Sequence, residues 1–224
     1  MVNLKKSINI FLPEDSGKRG NCNSTEYHYF NFLFSRNLKD DYILRFFPKD
    51  QEKDFKKKLD EDDTEFSAVI LDFDFRENSD NLEVQKKEIS NYAKMIESSQ
   101  NAELYLTSRA WEVWICMHNS TYTKPFVSQE ELNKDIEEEY SKSKQWYKNK
   151  VEYLTSNLDT AIKNAKSSRK SLMFECEGYI QDKPDFRDPG VLQQLYVVNT
   201  FTYIDFLITK LKNYISNGSV KYFV

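Results

Sequence analysis

The sequence predicts an α/β protein with a mainly parallel central sheet flanked by helices and a helical C-terminal half. Three observations lead there. Strand-like runs alternate with helix-period segments through the first half of the chain. Residues 66–75 (FSAVILDFDF) hold the consecutive apolar residues Val69, Ile70 and Leu71, as expected of a strand covered on both faces. The second half reads as successive helices.

The elements follow in order. Residues 7–12 (SINIFL) form a first strand that Pro13 stops, and a polar loop covers 14–23. Tyr29, Phe30, Leu33 and Phe34 recur at helical spacing and predict a helix over 25–38. Residues 42–47 (YILRFF) are a second strand, ended by Pro48. Charge dominates 49–65, a solvated helix or loop, before the strand at 66–75. Leu82, Lys86, Ile89, Ala93 and Ile96 share one face of a helix over 81–98, and 103–107 (ELYLT) is a fourth strand. Ser108 is expected to cap a helix running to about His118. Ser128 and Glu131 form a capping box for a long polar helix reaching Tyr147, and 151–166 is another helix. Residues 175–189 are acidic with two prolines and predict a surface loop; Phe201, Ile204, Leu207, Ile208 and Leu211 mark a closing helix.

At 224 residues the chain suits one large domain over 1–224, and five Gly and five Pro leave little for linkers. The 39% hydrophobic content, with 16 Phe and 14 Tyr, argues against disorder. A net charge of −4 does not suit a protein that grips a nucleic-acid duplex alone, but leaves room for a nuclease that receives its substrate from a partner. Residues 1–9 carry only short apolar pieces, so no signal peptide is expected, and no run approaches a membrane span. Cys22, Cys116 and Cys176 show no C-x-x-C spacing, which points to reduced thiols and a cytoplasmic location.

Asp72 and Asp74 are the sharpest chemical signal. Two residues apart on a strand, their side chains leave one face while Phe73 and Phe75 leave the other. They close a buried strand at the end where open α/β sheets bind ligands. Carboxylates held this close repel one another and favour a hard cation between them, Mg²⁺ or Mn²⁺. A third carboxylate would come from Glu14, just past the first strand, or Glu26, at the opening of the first helix. In residues 108–118 (SRAWEVWICMH), Trp111, Trp114, Ile115 and His118 share a helical face. His118 is therefore either chemical or a hydrogen-bonded core histidine, and Glu112 lies beside the helix N-terminus. Ser16-Gly17-Lys18 resembles the tail of a phosphate loop but lacks its upstream glycine and its hydroxyl residue.

These motifs, in order, resemble the RloB-like family, which includes small subunits of abortive-infection systems and lies near the Toprim nucleases. The matching pieces are S-T-E-Y-H-Y-F (24–30), L-D-F-D (71–74), T-S-R-A-W-E-V-W-I-C-M-H (107–118), A-I-K-N-A-K (161–166) and N-T-F-T (199–202). The resemblance implies a Toprim-like fold with an acidic metal site and an ABC-like or AAA-type ATPase partner. It makes Asp72 and Asp74 the D-x-D metal ligands and puts Glu112 and His118 on signature positions. Two departures stand out. Leu12-Pro13-Glu14-Asp15 occupies the place of the family's Cys-Glu-Gly, and Asn199-Thr200 that of its Asn-Pro-hydroxyl motif.

Two functional readings of different class follow. The first is a Mg²⁺-dependent nuclease effector of an antiphage system, cutting DNA or RNA, tRNA included, inside an ATPase complex. Its catalytic residues would be Glu14, Asp72, Asp74, Glu112 and His118, with Glu14, Glu26, Asp72 and Asp74 as the metal-ligand set. The second is a non-catalytic regulatory or ligand-binding subunit of the same complex. A phosphatase using Asp72 as nucleophile ranks last, because Asn78 and Ser79 come too late for D-x-D-x-T.

Overall fold

The computed structural model describes residues 5–12, 24–48, 52–59, 61–73, 79–99, 101–108, 110–124, 128–175, 184–197 and 200–215. Four strands, β1 (Lys6–Leu12), β2 (Tyr42–Pro48), β3 (Thr64–Phe73) and β4 (Ala102–Ser108), form one all-parallel sheet in the order β2-β1-β3-β4. Three helices lie between them in sequence: α1 (Thr25–Leu33), α2 (Glu52–Leu59) and α3 (Ser79–Glu97). After β4 come α4 (Glu112–Cys116), α5 (Gln129–Ile136), α6 (Lys144–Ser156), α7 (Leu158–Glu175), α8 (Pro189–Val197) and α9 (Ile204–Lys212). The α/β class, the parallel sheet and the helical second half are as the sequence predicts.

Strand order explains which helix covers which face. Parallel crossovers are right-handed. The chain moves from β1 to β2 in one direction, but from β2 to β3 and from β3 to β4 in the other, so α1 must lie opposite α2 and α3. The two cores agree. Ile8, Ile10 and Leu12 of β1 and Phe66, Ala68 and Ile70 of β3 face Tyr29, Phe30 and Leu33 of α1. Phe11, Val69, Leu71 and Phe73 face Phe55 of α2 and Ile89 and Ala93 of α3. With side chains alternating along each strand, Val69, Ile70 and Leu71 all find apolar cover.

Several boundaries differ from the sequence reading, each for a local reason. The first helix ends at Leu33 and not at Leu38, because the Asn37 amide donates to the Leu33 carbonyl at 2.7 Å. Ser108 ends β4, where its backbone N–H donates to the Phe201 carbonyl, and α4 starts only at Glu112, with Trp111 at the N-cap position and no cap bond from its side chain. Ser128 does cap a helix through the Glu131 N–H, but that helix stops at Ile136. Glu137 is fully extended, and Ser143 caps a new helix, α6, through the Trp146 N–H. The predicted 151–166 helix is divided at Asn157, whose side chain takes the Tyr153 carbonyl at 2.9 Å. Helix α7 runs on to Glu175, and α8 was not predicted; it opens on Pro189, a residue suited to a first helical turn.

A buried polar joint closes the second half. Arg169 of α7 donates to both carboxylate oxygens of Asp205 on α9 at 2.7 Å, and also to the Thr202 carbonyl. Its guanidinium lies over the rings of Tyr203 and Phe206, 5.0 Å from each. Among the described residues no helix is long and apolar enough to cross a membrane.

Candidate functional site at the carboxyl edge of the sheet

The direction of the chain reverses between β1 and β3, and this is where an open α/β sheet leaves a crevice beyond its strand ends. The register sharpens the point. Phe11 of β1 pairs with Val69, so β1 ends near Ile70 while β3 continues through Leu71, Asp72 and Phe73. Asp72 instead pairs with Thr107 of β4, on the other side. Alternation sends its carboxylate to the face of Phe66, Ala68 and Ile70, the face that α1 covers. It is partly exposed there, between the buried Leu71 and Phe73.

Two further carboxylates occupy this edge and face. Glu26 stands in the first turn of α1, which follows β1; Glu112 opens α4, which follows β4. Both are almost fully buried. Ser24 caps α1 through the Tyr27 N–H, and Thr25 donates to Glu26 at 3.2 Å. Glu112 accepts the Tyr140 hydroxyl at 2.8 Å and pairs with Lys142 at 3.2 Å, both through Oε1. Its Oε2 is buried and accepts no hydrogen bond among the described residues.

The Tyr147 hydroxyl lies 3.5 Å from that of Tyr140 and feels the charge of both glutamates. Burial pushes its pKa well above the usual value, and the carboxylates of Glu112 and Glu26 push it the same way. Burial raises Tyr140 as well, so both phenols remain neutral donors. The sequence did not mark Tyr140, Lys142 or Tyr147. Tyr140 reaches Glu112 across 28 positions, a contact that no local pattern signals.

His118 is buried beneath this cluster. Its Nδ1 lies 3.3 Å from the Trp114 carbonyl and its Nε2 3.2 Å from the Tyr29 hydroxyl. A carbonyl only accepts, so Nδ1 carries the proton and Nε2 accepts from Tyr29. Burial lowers the imidazole pKa to about 4, and the ring is neutral at physiological pH. Trp111 and Trp114 are fully buried core residues. Burial likewise pushes the Cys116 thiol up to about 12, leaving it unreactive.

The histidine has a consequence for stability. Its folded pKa lies below the unfolded value of about 6.5, so the unfolded chain binds more protons between pH 4 and 6.5. The contribution is complete above pH 6.5 and is lost as the pH falls towards 4, by about 3 kcal/mol in all. Urea unfolding over that range should show the loss, and His118→Gln should flatten the profile. An unchanged slope in the variant would assign the acid sensitivity elsewhere.

Glu14 and Asp74, two of the expected metal ligands, lie outside the described residues, as do Cys22 and Cys176. Among the described residues no three His, Cys, Asp or Glu side chains form a group able to hold a metal ion. Glu26, Asp72 and Glu112 thus share one edge and one face without converging on a point. No protein-family model, curated protein or solved structure matches the chain.

Proposed function

We propose that the chain is a Toprim-like, RloB-like nuclease effector of an antiphage system, dependent on Mg²⁺ or Mn²⁺ and acting in the cytoplasm with an ATPase partner. The observation that carries the reading is the position of Asp72. It stands, half-buried, where β3 outruns β1, at the reversal of strand order, and Asp74 follows two residues later in sequence. The donors suit the ion, since hard cations take carboxylate oxygens. Asp72 and Asp74, with Glu14 or Glu26, would hold it. A bound Mg²⁺ supplies charge that polarises a phosphodiester and lowers the pKa of its water.

The chain's own residues have definable tasks in this reading. Asp72 presents its carboxylate from a rigid strand, which limits its freedom before any ligand binds. Glu112, Tyr140 and Tyr147 form a neutral-donor and carboxylate frame on the same edge and face of the sheet. His118 fixes Tyr29 and Trp114 beneath that frame. DNA or RNA, tRNA included, would be delivered inside the complex, because a net charge of −4 gives little electrostatic capture.

A second reading, a non-catalytic regulatory or ligand-binding subunit of the same complex, is favoured by one observation. Glu26 and Glu112 are almost fully buried and each already accepts a hydrogen bond from a protein hydroxyl. Co-expression separates the two. The effector should cut nucleic acid only beside the ATPase, so robust cleavage by the purified chain at physiological salt would refute the dependence. A complex that never cuts favours the regulatory subunit.

The third carboxylate is assigned to Glu14, tied by Leu12 to the end of β1. Glu26 already has a local role, at the N-terminus of α1 and as acceptor from the Thr25 hydroxyl. In the complex, Glu14→Gln should abolish cleavage with little change in stability. Full activity in Glu14→Gln with loss in Glu26→Gln would reverse the assignment.

A further inference from the structure

We propose that the outer face of α7 docks the phosphate backbone of a nucleic-acid duplex through Lys163, Lys166 and Lys170. The choice of a nucleic acid as the polyanion rests on the reading above, to which the stripe adds a surface for the substrate. Two of the three lysines fall in A-I-K-N-A-K (161–166), a motif to which neither the residue types nor the resemblance gives a task. Residues 160–174 contain four basic side chains and no Asp or Glu. The helix sorts those four. Arg169 turns inward to Asp205, whereas the three lysines are exposed.

Helical geometry gathers the lysines. Ala161, Ala165, Ser168 and Leu172 form the buried side of α7. At about 3.6 residues per turn, Lys163, Lys166 and Lys170 fall within roughly 60° of one another on the opposite side, along about 10 Å of helix axis. None of the three pairs with a carboxylate among the described residues. Lys124, Lys150, Lys210 and Lys212, on the segments beside α7, each do.

The charge around the stripe stays positive. Helix α7 packs on α4, α6 and α9, whose acidic residues are Glu112, Glu152 and Asp205. Glu112 is buried against Lys142, and Asp205 against Arg169. Only Glu152 is exposed, and α6 presents Lys144 and Lys148 as well. Segment 117–124, tied to α7 through Asn164 and Ser168, has no acidic residue. On α7 itself Asp159 and Glu175 stand at the two ends, and Asp159 is held by Lys212.

What the face lacks selects the occupant. A helix that lies on a membrane sets its lysines beside an apolar face. Protein interfaces centre on aromatic or apolar anchors and are poor in lysine. Among the described side chains of α7 no large apolar one is exposed. Single strands are held by aromatic rings that stack on their bases, and the described side chains of α7 include no ring. A duplex asks only for cations along its backbone, which carries a charge about every 1.7 Å of axis. Three contacts hold weakly, in keeping with a substrate delivered by a partner.

The test uses the full chain in EDTA, so that hydrolysis plays no part. The probe is a short fluorescein-labelled DNA duplex, followed by anisotropy from low to physiological salt. The logarithm of the binding constant should fall with that of the salt concentration, with a slope of about −2.7 for three phosphate contacts. Lys163→Gln, Lys166→Gln and Lys170→Gln together should weaken binding about tenfold at low salt and remove most of the slope. Glutamine matches lysine in helix propensity, so the Tm should hold. Lys56→Gln, Lys57→Gln and Lys94→Gln together remove the same charge from exposed positions on α2 and α3 and should bind like wild type.

The assignment is overturned if wild type does not bind at low salt, or if the α7 variant binds like wild type. It is also overturned if the control variant loses as much, for then net charge alone is at work. Equal or tighter binding of a single strand of the same length, or of phosphatidylserine vesicles, would give the stripe to another polyanion. A chain that binds duplex through α7 but never cuts beside the ATPase would lose the nuclease reading and keep this one. A complex that cuts as well with the α7 variant as with wild type would lose only this one.

Discussion

Replacing Asp72 and Asp74 together by Asn is expected to remove both the metal response and the activity of the protein while leaving the fold intact. Asp72 stands near the end of β3 and Asp74 follows two residues later in sequence; carboxylates brought together repel, and a bound divalent ion relieves that repulsion. The ion binds the folded chain better than the unfolded one, so it stabilises by mass action. At a concentration 100 times the dissociation constant the gain is about 2.7 kcal/mol. For a chain of this size that amounts to a rise in Tm of about 5–10 °C. Wild type should show the rise with millimolar Mg²⁺ or Mn²⁺, and the double variant should not. Without metal the variant should remain folded, because Asn keeps the shape of each Asp side chain. A wild type indifferent to metal would show that the strand end is not a metal site, and the regulatory reading would then stand.

The largest stability effect is expected at the buried joint between α7 and α9. Arg169 is only 3% exposed and Asp205 only 7%, so neither charge has water to fall back on. Arg169→Ala removes both hydrogen bonds to Asp205, the bond to Thr202 and the cation over two rings, and leaves a buried carboxylate uncompensated. Breaking a buried pair from one side costs about 3–5 kcal/mol. Urea denaturation should show a midpoint shift of that size with m unchanged. Replacing both partners by apolar residues of similar volume, Arg169→Met with Asp205→Leu, should cost much less, because no charge is stranded. A double variant as unstable as the single one would show that the Thr202 and ring contacts dominate. The joint holds Thr202, which bridges to Thr107 of β4, and so reaches the strand next to Asp72.

What the sequence determined by itself was the local, periodic part of this protein. All four strands, the parallel class and the position of Asp72 near a strand end were legible, because strands buried on both faces require uninterrupted apolar runs. Helix capping was legible as chemistry but not always as extent. Ser128 announced α5 correctly, yet nothing nearby said that the chain would straighten at Glu137 and restart at Ser143. That break exists because Tyr140 is drawn inward to Glu112, a partner 28 residues earlier, and a distant hydrogen bond overrode helix propensity. Likewise Asn37 and Asn157 ended helices through side-chain bonds that compete with the backbone, which periodicity does not report.

The tertiary structure alone decided which polar residues meet. Glu26 and Glu112 are 86 positions apart in the chain, and both act on Tyr147 because α1, α4 and α6 converge at one edge. His118 could be read from sequence as chemical or as core; only the three-dimensional neighbours, Tyr29 and the Trp114 carbonyl, gave it a neutral ring with a fixed tautomer. Strand order was also beyond the sequence, since an apolar run specifies burial but not a neighbour. It is the order β2-β1-β3-β4 that puts the end of β3 at the reversal of chain direction, the position where open parallel sheets bind their ligands.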